Sequence, residues 1–491
     1  MAKKVIVIGS GFAGISAASF MAQRGYDVTV LEKNLVPGGR ARQFSEAGFT
    51  FDMGPSWYWM PEVFEDYFAN FGKKTSDYYD LIRLDPSYSV FFSAEHRMDV
   101  PAKMEALYEM FEKYEPGSSP KLKKFLAEAK YKYDVGIKEF VQKPGHSIFE
   151  FADLRVVSSL FKLQMFQSVS KEIRKLFSNE QLIQLLEFPV LFLGATPQNT
   201  PALYSLMNYA DMSLGTWYPK GGMYKIIEGM LNLAEELGVK VICGQEVTKI
   251  EVENGVATKV VTKDQAYSVD VVIGGADYHH VEQHLLEEKY RNYTETYWDK
   301  RTMAPSSLLF YLGINKKLKN LEHHNLFFDQ DFEQHAIEIY DDPKWPSNPL
   351  FYACCPSQTD DSIAPADGEN LFLLIPLAPD LEDTEALREK YYHIIMDRLE
   401  QITGQRVREA VVYKRSFAHK DFKSDYHAYK GNAYGLANTL LQTAFLKPKL
   451  KCKKVKNLFF TGQLTTPGPG VPPSIISGQV VAREIHKLIK P

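Results

Sequence analysis

The sequence predicts an α/β fold in which a parallel-sheet domain is assembled from separated segments, with an α+β domain inserted between them. Three observations predict it. A continuous β-branched run, Val5-Ile6-Val7-Ile8, opens onto closely spaced glycines and a small-residue helix. A second apolar strand followed by a helix start stands at 457–488. At 491 residues the chain is also too long for one core.

The first element is a strand buried on both faces, since β-branched residues run through it without alternation. Gly9-Ser10-Gly11-Phe12-Ala13-Gly14 follows at once. Gly9 permits a tight turn, Gly11 lets the backbone approach a pyrophosphate, and Gly14 lets helix and strand pack closely. The helix then carries Ala17, Ala18 and Ala22 toward the sheet and stops at Gly25, which tolerates a left-handed conformation. Val28-Thr29-Val30-Leu31 is the second strand and ends on Glu32, where a carboxylate can accept hydrogen bonds from a ribose. Strand, glycines, helix, strand and acid in this order make a Rossmann-type dinucleotide site.

Lys33 and the turn Pro37-Gly38-Gly39-Arg40 come next. Here the sequence resembles the large flavoprotein group that includes amine oxidases and carotenoid desaturases. The resemblance implies FAD, with Gly39 and Arg40 beside its pyrophosphate and Asp52-Met53-Gly54-Pro55-Ser56 approaching the flavin ring. Near the other end, 457–461 is a last buried strand leading into Gly462-Gln463. The loop Pro467-Gly468-Pro469-Gly470-Val471-Pro472-Pro473-Ser474 then opens a helix whose apolar face is Ile476, Val480, Val481, Ile485 and Leu488. A helix start of this kind favours an anion, which for a flavin is the reduced ring. With Gly431-Asn432-Ala433-Tyr434-Gly435, this loop resembles the closing motif of bacterial-type phytoene desaturases over nearly the whole chain. Gln463 departs from the aspartate that many of the wider group carry there, and a neutral amide can still donate to ribityl or phosphate oxygens.

Between the ends, Trp217-Tyr218-Pro219-Lys220-Gly221-Gly222 precedes a helix over 223–237 and strands over 239–243 and 246–250, with 267–274 as the returning strand. The resemblance implies that Val247 meets the adenine through its backbone. The expected organisation is an FAD-binding domain from 1–75, 215–285 and 425–491, interrupted by a helical insert (76–214) and a sheet insert (286–424). The second insert carries apolar runs at 307–312 and 371–375 with poor alternation, suited to a mixed sheet that walls a long apolar tunnel. In the first, apolar residues at helical spacing over 156–177 are bordered by Lys162, Lys171, Arg174 and Lys175. Such a face either lies in a membrane interface or packs on the core. Six lysines in 447–456 either touch anionic lipid or form a solvated loop.

A net charge of -4 with 24% charged residues predicts no nucleic-acid partner. The abundance of aromatics, 31 Phe, 28 Tyr and 5 Trp, is compatible with a large apolar ligand. Cys243, Cys354, Cys355 and Cys452 make no Cys-x-x-Cys spacing and are expected as buried free thiols. The pairs His279-His280 and His323-His324 lack metal-ligand spacing, and neighbours on one element point apart, so no metal is expected. With no signal peptide and no stretch of about 18 apolar residues, the expected location is cytoplasmic, peripheral on a membrane.

The resemblance implies desaturation of a carotenoid precursor, phytoene above all: hydride transfer to flavin N5 and proton loss from the adjacent carbon. No acid–base residue is singled out, because the substrate's conjugation stabilises the cation left behind. Lacking a second glycine-rich motif, the chain is expected to return electrons to a quinone or oxygen. The alternatives are a related desaturase, isomerase or saturase of another carotenoid, a flavoprotein acting on a polar metabolite, and a non-enzymatic prenyl-lipid carrier. A carrier would have no use for Gly9, Gly11, Gly14, Glu32 and Arg40.

Overall fold

A computed structural model describes residues 2–145, 167–193, 196–439 and 442–491. Its centre is a five-stranded parallel sheet in the order Leu458–Phe460, Val271–Gly274, Lys4–Ile8, Asp27–Leu31, Lys240–Ile242. Three stretches distant in sequence thus build one sheet. The expected returning strand over 267–274 is two elements. Ala266–Ser268 closes a three-stranded antiparallel sheet with Val247–Glu253 and Val256–Thr262, and Val271–Gly274 joins the parallel sheet.

The helix Phe12–Gln23 is buried from Phe12 to Met21, packed between this sheet and the helix Val471–Leu488. It ends as expected, with Gly25 in the left-handed region (φ 89°). A Cβ on Gly478 would stand 2.6 Å from the Ala13 carbonyl oxygen and the Ala17 nitrogen, so the two helix backbones approach closely. Ile476, Val480, Val481 and Ile485 are buried on the expected face, but Leu488, the last residue of the helix, is exposed.

The second sheet has seven strands: Val411–Phe417, Ser306–Ile314, Glu369–Leu377, Phe351–Cys354, His324–Phe327, Tyr88–Phe91, Arg97–Val100. It is mixed as expected, its one parallel pairing being His324–Phe327 with Tyr88–Phe91. Two of its strands come from the insert read as helical. They are short, and their partner lies more than 200 residues away, so local periodicity carries no sign of them. Ser306–Ile314 is buried at all nine positions, which explains its lack of alternation. One face packs on the helix Glu385–Thr403, and the other on the first insert.

Of the segment 156–177, residues 156–166 lie outside the described residues. The rest forms the helix Val169–Leu176, which turns Val169, Ile173 and the following Phe177 into the core. Arg174 and Lys175 pair outside with Glu180 and Glu172. Among the described residues, no helix is long and apolar enough to cross a membrane.

Candidate functional site

Two helix starts define the site. Gly11 and Gly470 occupy the N-cap positions of Phe12–Gln23 and Val471–Leu488, and neither helix has a side-chain cap. The first-turn N–H groups of Ala13 and Gly14 on one and of Val471 on the other, where Pro472 and Pro473 carry none, leave a partial positive charge for an anion. Gly9 sits at φ 95°, and a Cβ on Gly14 would fall 2.0 Å from the Gly9 carbonyl oxygen. A Cβ on Gly11, by contrast, would meet nothing within 4 Å. The loop is therefore closed behind and open in front. Gly462 closes the cradle from the other strand, its hypothetical Cβ being 3.7 Å from Ala13.

Glu32 is buried, and its carboxylate accepts from Ser10 N (2.9 Å), Ser10 Oγ (2.7 Å) and Asn34 N (2.9 Å). It is thereby fixed at the strand end by two backbone N–H groups, with a rotatable partner, the Ser10 hydroxyl, that a ribose hydroxyl could replace. Lys33 reaches the Ser424 carbonyl and lies 3.3 Å from His427 Nε2. Val247 is buried at the start of its strand.

Arg40 carries the strongest sign of an anion. Its Nη2 donates to the Asn432 carbonyl (3.3 Å) and its guanidinium lies over the Tyr426 ring at 5.3 Å, but its buried Nε has no partner. Burial pulls the Arg40 pKa down, and Asp277 partly offsets this; Asp277 is raised by the same burial. A buried cation left short of hydrogen bonds calls for a charged acceptor.

Asn432 joins the motifs. Its Oδ1 accepts from Gly435 N (2.7 Å) and from Gln463 Nε2 (3.3 Å), while its carbonyl takes Arg40. The Gly38–Arg40 turn, the 431–435 motif and Gly462-Gln463 therefore meet at one residue, through its carbonyl and its side chain. Ser477 does the same one layer behind, bonded to Thr461 Oγ1 (2.9 Å) and Gly462 N (3.0 Å). Asn432 and Ser477 take these roles through long-range hydrogen bonds, and sequence spacing marks neither.

From this cradle the chain runs directly to the mixed sheet. A Cβ on Gly54 would lie 2.4 Å from the Arg40 carbonyl oxygen. On the other side, Tyr311 donates to the Met53 carbonyl (2.6 Å) and Tyr352 donates to Ser56 Oγ (3.1 Å). Met53, Gly54, Pro55 and Ser56 are thus pinned between the two sheets. Asp52, just before them, accepts from Met223 N (2.7 Å), Tyr224 N (3.1 Å) and Gln43 Nε2 (3.1 Å); burial pushes its pKa up to about 6.

Two hollows lie on the sheet face beyond. One is bordered by Asp52, Ser56, Tyr218, His323, Cys354 and Phe372. The other is apolar, lined by Phe188, Leu326, Phe328, Phe332, Tyr352 and Leu374. Tyr352 and Cys354, like Phe372 and Leu374, are two apart on their strands and share one face.

His323, His324 and Cys354 are buried with donor atoms within 4.8 Å of one another. The pair does not point apart as expected, because His323 precedes the strand that begins at His324. Both Nδ1 atoms already have partners, His323 with Thr359 Oγ1 (2.8 Å) and His324 with Tyr352 OH (2.6 Å), and burial holds both rings neutral. His280 stacks on His427 at 3.8 Å. The four cysteines are free; Cys354, Cys355 and Cys452 are buried and Cys243 is half-buried.

The profile of the flavin-containing amine oxidoreductases matches residues 12–486. A carotenoid 3,4-desaturase of Haloarcula japonica is 41% identical over 98% of this chain and 97% of its own. A 4,4'-diapophytoene desaturase of Staphylococcus haemolyticus is 33% identical over 97% of each. An oxidoreductase from Methanosarcina mazei shares the fold, with a TM-score of 0.64 over 98% of this chain and all of its own at 17% identity. The chain belongs to the flavin-containing amine oxidoreductase family and, within it, to the carotenoid desaturases; it is an FAD-dependent oxidoreductase. The open face at Gly11, the partnerless Nε of Arg40 and the two uncapped helix starts fit that cofactor.

Proposed function

Proceeding from that family, we propose that the protein desaturates a long apolar carotenoid precursor, with phytoene the first substrate to test. Gly9, Ser10, Gly11, Ala13, Gly14, Glu32, Lys33, Gly39 and Arg40 would hold the ADP half of FAD. Gly54, Pro55, Ser56, Val247, Gly462, Gln463, Gly470, Val471 and Pro472 complete the site. When bound, FAD would supply a two-electron acceptor for hydride at its flavin N5.

The chain's own part is alignment and exclusion of water. The helix start at Gly470 favours negative charge opposite it. Phe188, Phe328, Phe372 and Tyr352 offer an apolar surface on which a polyene can lie. The observation that carries the reading is the clamp on Met53–Ser56, pinned to Arg40 on one side and to Tyr311 and Tyr352 on the other. It ties the cofactor cradle to that aromatic face without an intervening flexible segment.

The test is anaerobic incubation of the FAD-loaded protein with phytoene in liposomes. Flavin bleaching with new long-wavelength absorption supports the proposal, and the band positions count the double bonds. Unbleached flavin beside unchanged phytoene rejects that substrate. A second reading, 3,4-desaturation of an already conjugated carotenoid, is favoured by the higher identity to the Haloarcula enzyme, and the same assay with such a substrate tests it. Membrane contact through 156–166 and reoxidation by a quinone or oxygen complete the proposal. Liposome sedimentation of a Leu160→Ser, Phe161→Ser, Phe166→Ser variant tests the former: unchanged binding rejects it.

A further inference from the structure

Lys447 opens the lysine-rich run but does not share its exposure. Lys453, Lys454 and Lys456 are in solvent, whereas Lys447 is only 2% exposed. Its Nζ donates to Asn438 Oδ1 (2.9 Å) and packs on Gly468, where a Cβ would come within 3.0 Å of it. Gly468 belongs to the loop that feeds the uncapped helix start at Gly470. An ammonium has three protons to donate, and one acceptor is in place. Neither contact titrates, and among the described residues no carboxylate faces the amine. Burial alone moves its pKa, down to about 7.

A buried amine with no counter-charge is stable when neutral. It is out of place in a lysine run, yet it stands against the loop assigned above to the flavin. We propose that Lys447 stores the proton released during desaturation and so balances the charge that reduction places in the site. The inference rests on the FAD assignment. In the balanced step, one substrate C–H bond breaks with its electron pair passing, as hydride, to the cofactor. The neighbouring C–H bond breaks heterolytically, its electrons become the new π bond, and its proton passes through water to form an N–H bond at Lys447 Nζ. The site begins with a neutral amine and an oxidised cofactor. It ends with an ammonium and a reduced, anionic one, and the two charges favour each other. Lys447 is a charge-compensating residue, with no contact to the reacting carbons claimed for it.

The sign of the pH dependence follows. With the cofactor oxidised, the amine is neutral above pH 7 and protonated below it. Negative charge on the reduced cofactor raises its pKa. Above pH 7, reduction therefore takes up one proton more than the cofactor alone requires; well below pH 7 it does not.

The experiment is a spectrophotometric redox titration of the FAD-loaded wild type and of Lys447→Met from pH 6 to 9, with no substrate present. Expected for the wild type above pH 7 are two protons per two electrons. The variant takes up one, and its potential at pH 8.5 is lower. Lys447→Gln, which can still donate to Asn438, repeats the measurement in case the methionine variant does not accumulate. Equal proton counts and equal potentials in wild type and variants overturn the inference while leaving desaturation intact. A wild-type protein that binds no FAD overturns the FAD assignment and the inference together.

Discussion

The two sheets of the molecule are specified in different ways. In the parallel sheet and its cradle the backbone decides: Gly14, Gly54 and Gly478 stand where a single methyl group would strike another chain segment. At the seven-stranded sheet side chains decide: Tyr352 and Phe372 on one of its faces pack with Phe188 and Phe328 beside it, and any one of them could be exchanged for another apolar group at moderate cost. The first region therefore tolerates almost no variation and holds one cofactor. The second can be reshaped, and the relatives act on carotenoids with different names.

The largest effect expected from this contrast is at Gly14. Gly14→Val places branched carbons on the Gly9 carbonyl, and flavin content measured at 450 nm falls to the background of an apoprotein. Phe188→Ala, packed against the other sheet, is expected to cost about 3–5 kcal/mol of stability. It nevertheless keeps its flavin, so denaturant melts and flavin content move independently. Loss of flavin in that variant would break the comparison.

Arg40→Met sharpens it. Removing the charge-assisted contact to FAD costs about 1.5–3 kcal/mol, a fall in affinity of roughly 10- to 100-fold by equilibrium dialysis. The apoprotein, relieved of a half-buried cation whose Nε has no partner, melts higher than the wild-type apoprotein.

The smallest effect is at Asp52, on the seam. Its pKa is raised in the fold from 3.8 to about 6, so the folded state binds more protons between these values. Stability is fully present below pH 3.8 and falls as pH rises to 6, by about 1–2 kcal/mol after discounting for partial exposure. Melting temperatures from pH 4 to 6.5 follow that slope in the wild type and lose it in Asp52→Asn, which starts lower because an amide cannot accept from both Met223 N and Tyr224 N.

The same contrast explains what could be read from the sequence. Each glycine of 9–14 has a backbone reason to be there, so the strand, helix and acid around it were legible, as was the helix after Gly470. The pairing of Tyr88–Phe91 with His324–Phe327 was not, because four-residue strands separated by more than 200 positions leave no local period. Asn432 and Ser477 act through long-range hydrogen bonds that spacing does not encode. Lys447 was hidden by its neighbours: in a run of lysines, one that turns inward looks like the rest. Its place directly after Phe445-Leu446 and before Pro448 was the available hint.

The close packing of Phe12–Gln23 against Val471–Leu488 also has a consequence in time. Roughly 450 residues separate the two helices. A ribosome adding about 5–20 residues per second needs on the order of half a minute or more between making one and the other. Throughout that interval, Ala13, Ala17 and their neighbours have no partner on that side, and the glycine loop has no opposite wall. The nascent chain must shelter an unfinished nucleotide site until that second helix is made, so cofactor loading is expected to follow the synthesis of Val471–Leu488.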